Sequence, residues 1–448
     1  MIKFEQRFVF AAFIAMQVLA FMLFSPVRTV YADYDYINIS NPFIRKIPIA
    51  VPEFVPMESD VQTGKLAVAS GDEVSKALAF TGYFKLMDRA SFLEQPKEKG
   101  IAAEDINFKN WSDIGAELLI TGGISVKNGL LKMEMRLFDP FSGRLLMGKR
   151  YTGSLSKERD MALRFCSEVV FRLTGKKGVF NSRIAFVSAG PDGKGIFSCD
   201  FDGANVKQVI PASGINLFPA WSVDGRSLAY TSYKNGKPDI FVRNMEKQSE
   251  NTISFKGINI TPTWVPGSDK MAATLSFEGD EDIYLLTASG KVDKRLTSSW
   301  GVDVSPSFSP DGDRMAFVSN RSGSPQVYVM DMNTREVSRL TYKGNYNTQP
   351  DWSPAGKTIA YCGMEKGHTD IFMAEVKTGK ISRLTHDAGN NESPSFSPDG
   401  SLVVFSSNRD GKRSLYVMTA SGTDQRLLLD MPGEQSLPAW SPEIDHFN

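Results

Sequence analysis

Nucleophilic, redox or metal chemistry needs cysteine, histidine or serine at characteristic spacings, and this chain offers few candidates. Its three cysteines, Cys166, Cys199 and Cys362, lie far apart and include no CxxC pair, so neither a thiolate metal site nor a disulfide framework is indicated. The three histidines, His368, His386 and His446, are too scattered for a local zinc motif and read as ordinary surface or loop residues. No phosphate-binding loop, nucleotide fingerprint or GxSxG elbow occurs. The residue types therefore predict no catalytic residue, no metal site and no cofactor. What remains is the scaffold, and the shape it gives to a binding surface.

The chain opens with Lys3 and Arg7, runs seventeen almost wholly apolar residues from Phe8 to Phe24, and reaches Val30-Tyr31-Ala32. That is the pattern of a secretory signal over residues 1–32, with the mature protein starting at Asp33. An uncleaved anchor is the rival reading, since seventeen residues is the lower limit for spanning a bilayer. Removing the leader takes away Lys3, Arg7, Arg28 and Glu5 and leaves 48 basic and 50 acidic residues. This balance gives no electrostatic footprint for nucleic acid or for an anionic membrane surface. The expected partners are proteins or neutral ligands, met by a monomer that does not insert into a membrane once the leader is gone. Export without paired cysteines fits a bacterial periplasm.

A repeat dominates from residue 219 onward. Pro219-Ala-Trp221, Pro262-Thr-Trp264, Pro306-Ser-Phe308, Pro350-Asp-Trp352, Pro394-Ser-Phe396 and Pro438-Ala-Trp440 recur with aromatic spacings of 43, 44, 44, 44 and 44. Each full unit continues with a Gly-bearing turn, a strand such as Leu228-Ala-Tyr230, a glycine fifteen residues after the aromatic, and a strand such as Asp239-Ile-Phe241. Three units end in Arg-Leu-Thr, at Arg295, Arg339 and Arg383. Four short strands per unit of this length make one propeller blade. Helical solenoids are excluded, because apolar residues do not recur at spacings of three and four. The unit near Ile184-Ala-Phe186 lacks a Pro-x-aromatic strand, and the last unit has nothing else. The C-terminal strand is therefore expected to complete the first blade and close a ring of six over residues 179–448.

Residues 33–178 read differently, as a small α/β domain with a mixed sheet. Strands are expected at 46–51, 83–88, 118–126, 130–138 and after Gly143, and helices at 62–80, 111–116 and 156–173. A Lys127-Asn-Gly129 hairpin joins two of the strands. Thr121-Gly122-Gly123 lies within a strand and reads as a bulge or a close approach.

The passage Leu173-Thr-Gly175-Lys-Lys-Gly178-Val-Phe180-Asn-Ser-Arg183-Ile-Ala-Phe186, together with Trp111, Gly115 and Thr121-Gly-Gly, resembles the TolB family of the bacterial Tol-Pal system. The resemblance covers essentially the whole mature chain. It implies a non-enzymatic periplasmic scaffold whose propeller mouth binds the lipoprotein Pal and whose N-terminal segment docks on TolA, supporting outer-membrane integrity and cell division. Two enzyme readings stand beside it. A propeller hydrolase would need the missing elbow, and a lactonase-like propeller would need carboxylates converging in the channel, which sequence cannot display. The loops entering the Pro-x-aromatic strands share one face and carry Asn216, Asn259, Asp303, Asn347, Gln349, Asn390, Asn391, Glu392 and Gln435; this ring is the expected Pal surface. Residues 33–45, beginning Asp33-Tyr34-Asp35-Tyr36, are the expected TolA segment by position alone. The plainer alternatives are turn-forming residues for the ring and a frayed terminus for the segment.

Overall fold

The computed structural model describes residues 45–94, 100–287 and 289–444. The leader, the Asp33–Tyr36 segment and His446 lie outside the described residues. Among those described, no helix is long and apolar enough to cross a membrane.

The N-terminal domain is built on a mixed sheet. Strands β1 (Ile47–Ala50), β2 (Val55–Pro56), β3 (Phe84–Leu86), β4 (Leu118–Lys127), β5 (Leu130–Asp139) and β6 (Arg144–Ser154) are ordered β3-β1-β4-β5-β6, with β2 added beside β4. The first connections are parallel and the β4-β5-β6 meander is antiparallel. Asn128 and Gly129 take positive φ at the β4-β5 hairpin, as its two-residue turn demands. Helices α1 (Val61–Phe80) and α3 (Glu158–Thr174) pack on one sheet face, and α2 (Phe108–Asp113) brings Trp111 to the other. Asp60 caps α1 by accepting from the Thr63 amide at 2.9 Å. The Thr121-Gly-Gly run carries no bulge, since the β4-β5 register is continuous. Gly122 is required by a close approach, because a Cβ there would lie 2.5 Å from the Phe54 ring.

The propeller is six four-stranded sheets. Blade 1 consists of Arg183–Gly190, Gly193–Asp200 and Lys207–Ile210, completed by Glu434–Trp440, which pairs antiparallel with Arg183–Gly190. Blades 2 to 6 follow in order, with inner strands at Asn216–Trp221, Asn259–Trp264, Asp303–Phe308, Asn347–Trp352 and Asn391–Phe396. The truncated end units thus supply each other's missing strands. Across the middle strands of five blades an aromatic pair shares a cross-strand position, for example Tyr230 with Phe241 at 5.6 Å and Phe405 with Tyr416 at 6.0 Å. In blade 3 the position opposite Tyr284 is Ala273, and Phe277 supplies the second ring at 5.1 Å.

One hydrophobic core runs from the N-terminal domain into blades 1 and 6, joining Val74 and Phe165 to Phe201, Leu402 and Trp440. Arg159 of α3 adds polar ties to Glu73 of α1 and to Asp202 in a blade 1 turn. Tyr83 donates to Asp399, and Arg426 to the Phe80 carbonyl at 2.6 Å. All these propeller contacts fall on the first-to-second-strand or third-to-fourth-strand turns or on the strand residues beside them. The loops entering the inner strands and the second-to-third-strand hairpins lie at the opposite end of each antiparallel blade, so the mouth face stands clear of the N-terminal domain. The three cysteines are buried free thiols, and burial pushes the Cys362 thiol up to about 12, far from thiolate reactivity.

Candidate functional site

The repeated Pro-x-aromatic strand does more than fill the blade. In all six blades the residue before the proline, Phe218, Thr261, Ser305, Gln349, Ser393 or Leu437, has φ between 49° and 56°. At each, the pairing with the next strand shifts register. A left-handed residue other than glycine costs roughly 1 kcal/mol, and here it makes the bulge that turns the inner strand into the channel. The six prolines ring a central channel of about 260 Å³. Its wall is apolar around Phe218, Ala220, Leu437 and Ala439 and polar around Ser305, Gln349, Asp351 and Ser395.

The residue between proline and aromatic pins neighbouring blades together. Ser307 accepts from the Trp352 amide at 3.0 Å, Asp351 from the Phe396 amide at 2.7 Å, and Ser395 from the Trp440 amide at 3.0 Å. Where this residue is Ala220 or Ala439, its carbonyl instead accepts an indole N–H, from Trp264 at 3.2 Å and Trp221 at 3.1 Å. Among the described residues no such bond joins blades 3 and 4.

Asp351 touches channel solvent yet is hemmed in by protein, and this desolvation pushes its carboxyl up to about 7 against the help of the Phe396 amide. A raised folded-state value means that the folded protein holds this proton more tightly than the unfolded chain. The associated stability is present below pH 4 and is lost as pH rises through about 7. Asp351→Asn keeps the acceptor without the charge, and so is expected to match the parent near pH 4, to pull ahead progressively above it, and to exceed it at pH 8 by about 2 kcal/mol, a figure reduced for the channel water. Urea titrations at the two pH values test this; equal stabilities at pH 8 would contradict it.

The ring of polar residues expected at the Pal surface lies in and just before the inner strands on the free face, and most of it points inward. Asn216, Asn259, Asp303, Asn347, Asn391 and Gln435 are all buried. Asn216 donates to the Lys194 and Pro211 carbonyls at 2.7 and 3.0 Å, and Gln435 to the Gly433 carbonyl at 2.6 Å. Asn259, Asn347 and Asn391 each donate to a residue near the start of the preceding blade's third strand: Asp239 at 3.2 Å, Gln326 at 2.9 Å and Asp370 at 3.1 Å. Thr341 and Thr385 of the Arg-Leu-Thr repeats join the same networks. Gln349 accepts from the Ser393 amide at 2.9 Å, Asn390 accepts from the Thr369 amide at 3.1 Å, and Glu392 pairs with Arg413. The ring therefore builds the loops, and only Gln349, Asn390 and Glu392 retain partial exposure. The correction has a simple cause: short polar runs at loop ends read alike whether they face solvent or satisfy buried backbone groups.

Blade 4 departs from this pattern. Asp303 stands where four other blades have asparagine, so it cannot donate to Asp282, and two buried carboxylates share the seam. Arg295 holds Asp282, and Arg321 holds both oxygens of Asp303 at 3.1 and 3.0 Å. Asp303→Ala strands Arg321 and is expected to cost about 3 kcal/mol. Asp303→Asn should cost under about 1 kcal/mol, because Asn391 already accepts from Arg409 at 2.9 Å while donating to Asp370. A denaturant series in which asparagine is as harmful as alanine would refute this account of the seam.

What the free face does expose is aromatic. Trp300 and Tyr342 are each 70% exposed, and Tyr346 and Tyr233 are about two-fifths exposed. Trp300 lies in the loop between blades 3 and 4, and Tyr342 and Tyr346 in the next loop. These residues stand outside the blade repeat, and that was the available signal: Trp300 and Trp111 alone among the six tryptophans do not occupy the Pro-x-aromatic position. Exposed aromatics with a polar rim mark protein-binding surfaces. Among the described residues no group of three or more His, Cys, Asp or Glu side chains is arranged to hold a metal ion.

A closed six-bladed ring whose free face bears exposed aromatics on its loops, with a mixed-sheet domain packed at the other face, defines a two-domain propeller that meets its surroundings through loops. Family models narrow the class. One described as the TolB beta propeller domain matches residues 170–444, and one described as the TolB amino-terminal domain matches residues 35–146. The chain belongs to the TolB family. It is 53% identical over 283 residues to a Tol-Pal system protein TolB of Desulfosudis oleivorans, covering 63% of this chain and 64% of that protein. It is 45% identical over 224 residues to a TolB homolog of Chlorobaculum tepidum, covering 50% of each. The matches thus span between half and two-thirds of these relatives' lengths. The crystal structure of TolB from Acinetobacter baumannii superimposes with a TM-score of 0.78 at 28% identity, covering 89% of this chain and 97% of that one.

Proposed function

We propose that this chain is a non-enzymatic component of a Tol-Pal system in the periplasm, binding Pal through the propeller mouth and TolA through the N-terminal segment at residues 33–45. In this role it supports outer-membrane integrity and cell division. The observation that carries the reading is the free face, where Trp300, Tyr342 and Tyr346 are exposed on the loops that enter the inner strands, while the N-terminal domain packs at the opposite ends of the blades. A rigid ring held by interblade pins presents these loops with little ordering cost, which favours a protein partner. The names of the relatives supply the system, and the near-neutral balance of charge argues against nucleic acid.

The test is calorimetry with the mature chain from Asp33 against the soluble domains of the host's own Pal and TolA. Pal should bind saturably whether or not residues 33–45 are present, and TolA should bind only when they are. Failure of a folded Pal to bind would overturn the mouth assignment, and TolA binding that survives the deletion would overturn the segment.

A further inference from the structure

In four blades the turn between the third and fourth strands leans on the outer edge of the preceding blade. In blade 3 a Cβ on Gly290 would meet Ile253 at 2.7 Å, in blade 6 one on Gly422 would meet Leu384 at 3.0 Å, and in blade 1 one on Gly203 would meet Leu428 at 2.5 Å. Blade 4 has Arg335 at this turn, and its guanidinium donates to the Arg295 and Leu296 carbonyls of blade 3. Blade 5 has Gly379 at the corresponding position, 44 residues on. A Cβ there would meet nothing within 4 Å. The seam between blades 4 and 5 is consequently open, as a groove of about 1130 Å³ along the outer strands Val337–Arg339 and Ile381–Arg383.

The groove has an apolar floor and a basic rim. Val337, Phe372, Val376 and Ile381 line the floor. Arg314, Arg339, Lys343, Lys377 and Arg383 face three acids, Asp331, Glu336 and Glu365, an excess of positive charge on a chain that is neutral overall. Arg383 is committed to Asp370, but Lys343 and Lys377 are exposed and, among the described residues, make no ion pair. Short outer strands leave backbone edges that an added strand can pair with.

We propose that the groove between blades 4 and 5, which runs along the outer strands and meets the free face at Tyr342 and Lys343, is a docking site for an extended acidic segment of a partner protein that alternates carboxylates with apolar side chains. The apolar residues would seat on Val337, Phe372 and Ile381, and the carboxylates would meet Lys343 and Lys377.

The test uses the mature chain and a short fluorescein-labelled peptide alternating glutamate and valine, with a lysine–valine peptide as control, followed by fluorescence anisotropy. The acidic peptide should bind, more weakly as salt is raised, and the basic peptide should not. Gly379→Arg rebuilds the plug of the neighbouring seam. It should fold, because Arg335 already holds φ of 69°, the value at Gly379. Gly379→Arg should weaken the acidic peptide at least about tenfold, as should Lys343→Glu combined with Lys377→Glu, while Pal affinity is unchanged by Gly379→Arg. Equal binding of the two peptides, or acidic-peptide binding indifferent to both variants, would overturn the proposal. A dimer seen by sedimentation that is lost in Gly379→Arg would assign the groove to a second copy and overturn it as well.

Discussion

Trp440→Ala is expected to lower the unfolding free energy by about 4 kcal/mol, in the range of buried tryptophan truncations. The side chain is 7% exposed, its indole N–H donates to Ser182 at 2.8 Å, and its backbone amide donates to Ser395 at 3.0 Å. It belongs to the core shared by blade 1, blade 6 and the N-terminal domain. One residue on the closing strand thus ties together the two ends of the ring and the second domain, whereas Trp221, equally buried, serves only the seam between blades 1 and 2. For a propeller of this size the loss corresponds to a fall in melting temperature of roughly 8 °C. Scanning calorimetry on parent and variant reads it directly. A shift within about 2 °C would mean that the closing strand does not carry the stability assigned to it.

The second large effect concerns binding. Trp300→Ala and Tyr346→Ala are each expected to weaken Pal by about 2 kcal/mol, roughly thirtyfold, because exposed aromatics at an interface centre carry a disproportionate share of the affinity. Both side chains stand in solvent, so neither variant should change the melting temperature appreciably. Asn347→Ala is the informative contrast: Asn347 is buried and donates to Gln326 and to the Lys343 carbonyl, so its loss should act on stability. Calorimetric titration of Pal into the three variants separates the two kinds of residue. An unchanged affinity in both aromatic variants would remove the rim from the interface.

The architecture was largely legible because a propeller repeats its constraints. A proline, an aromatic and a turn glycine recur where the channel, the seam and the hairpin demand them, so even the closure by Glu434–Trp440 followed from two incomplete units. The β-bulges were not legible: the left-handed position is filled by Phe, Thr, Ser, Gln, Ser and Leu in turn, and no residue type announces a conformation imposed by the surrounding ring. The polar ring at the loop ends was found, but its direction was not. Asn259 and Asn391 look like surface residues in sequence and turn out to bridge blades, since their partners Asp239 and Asp370 stand 20 and 21 positions earlier. The short strand at Val55–Pro56 was missed because two residues carry no periodicity. Gly379 was equally opaque, since an absent side chain has meaning only beside the Arg335 that fills the neighbouring seam.

The central claim is that Pal meets the face opposite the N-terminal domain. Hydrogen–deuterium exchange on the mature chain, with and without the soluble domain of the host's Pal, tests it most directly. The account predicts slowed exchange in the loops at 298–302 and 342–346 and in the hairpin around Tyr233, with no change in the turns at Asp399–Gly400 and 420–424 on the opposite face. Protection confined to those turns, or to the N-terminal sheet, would contradict it.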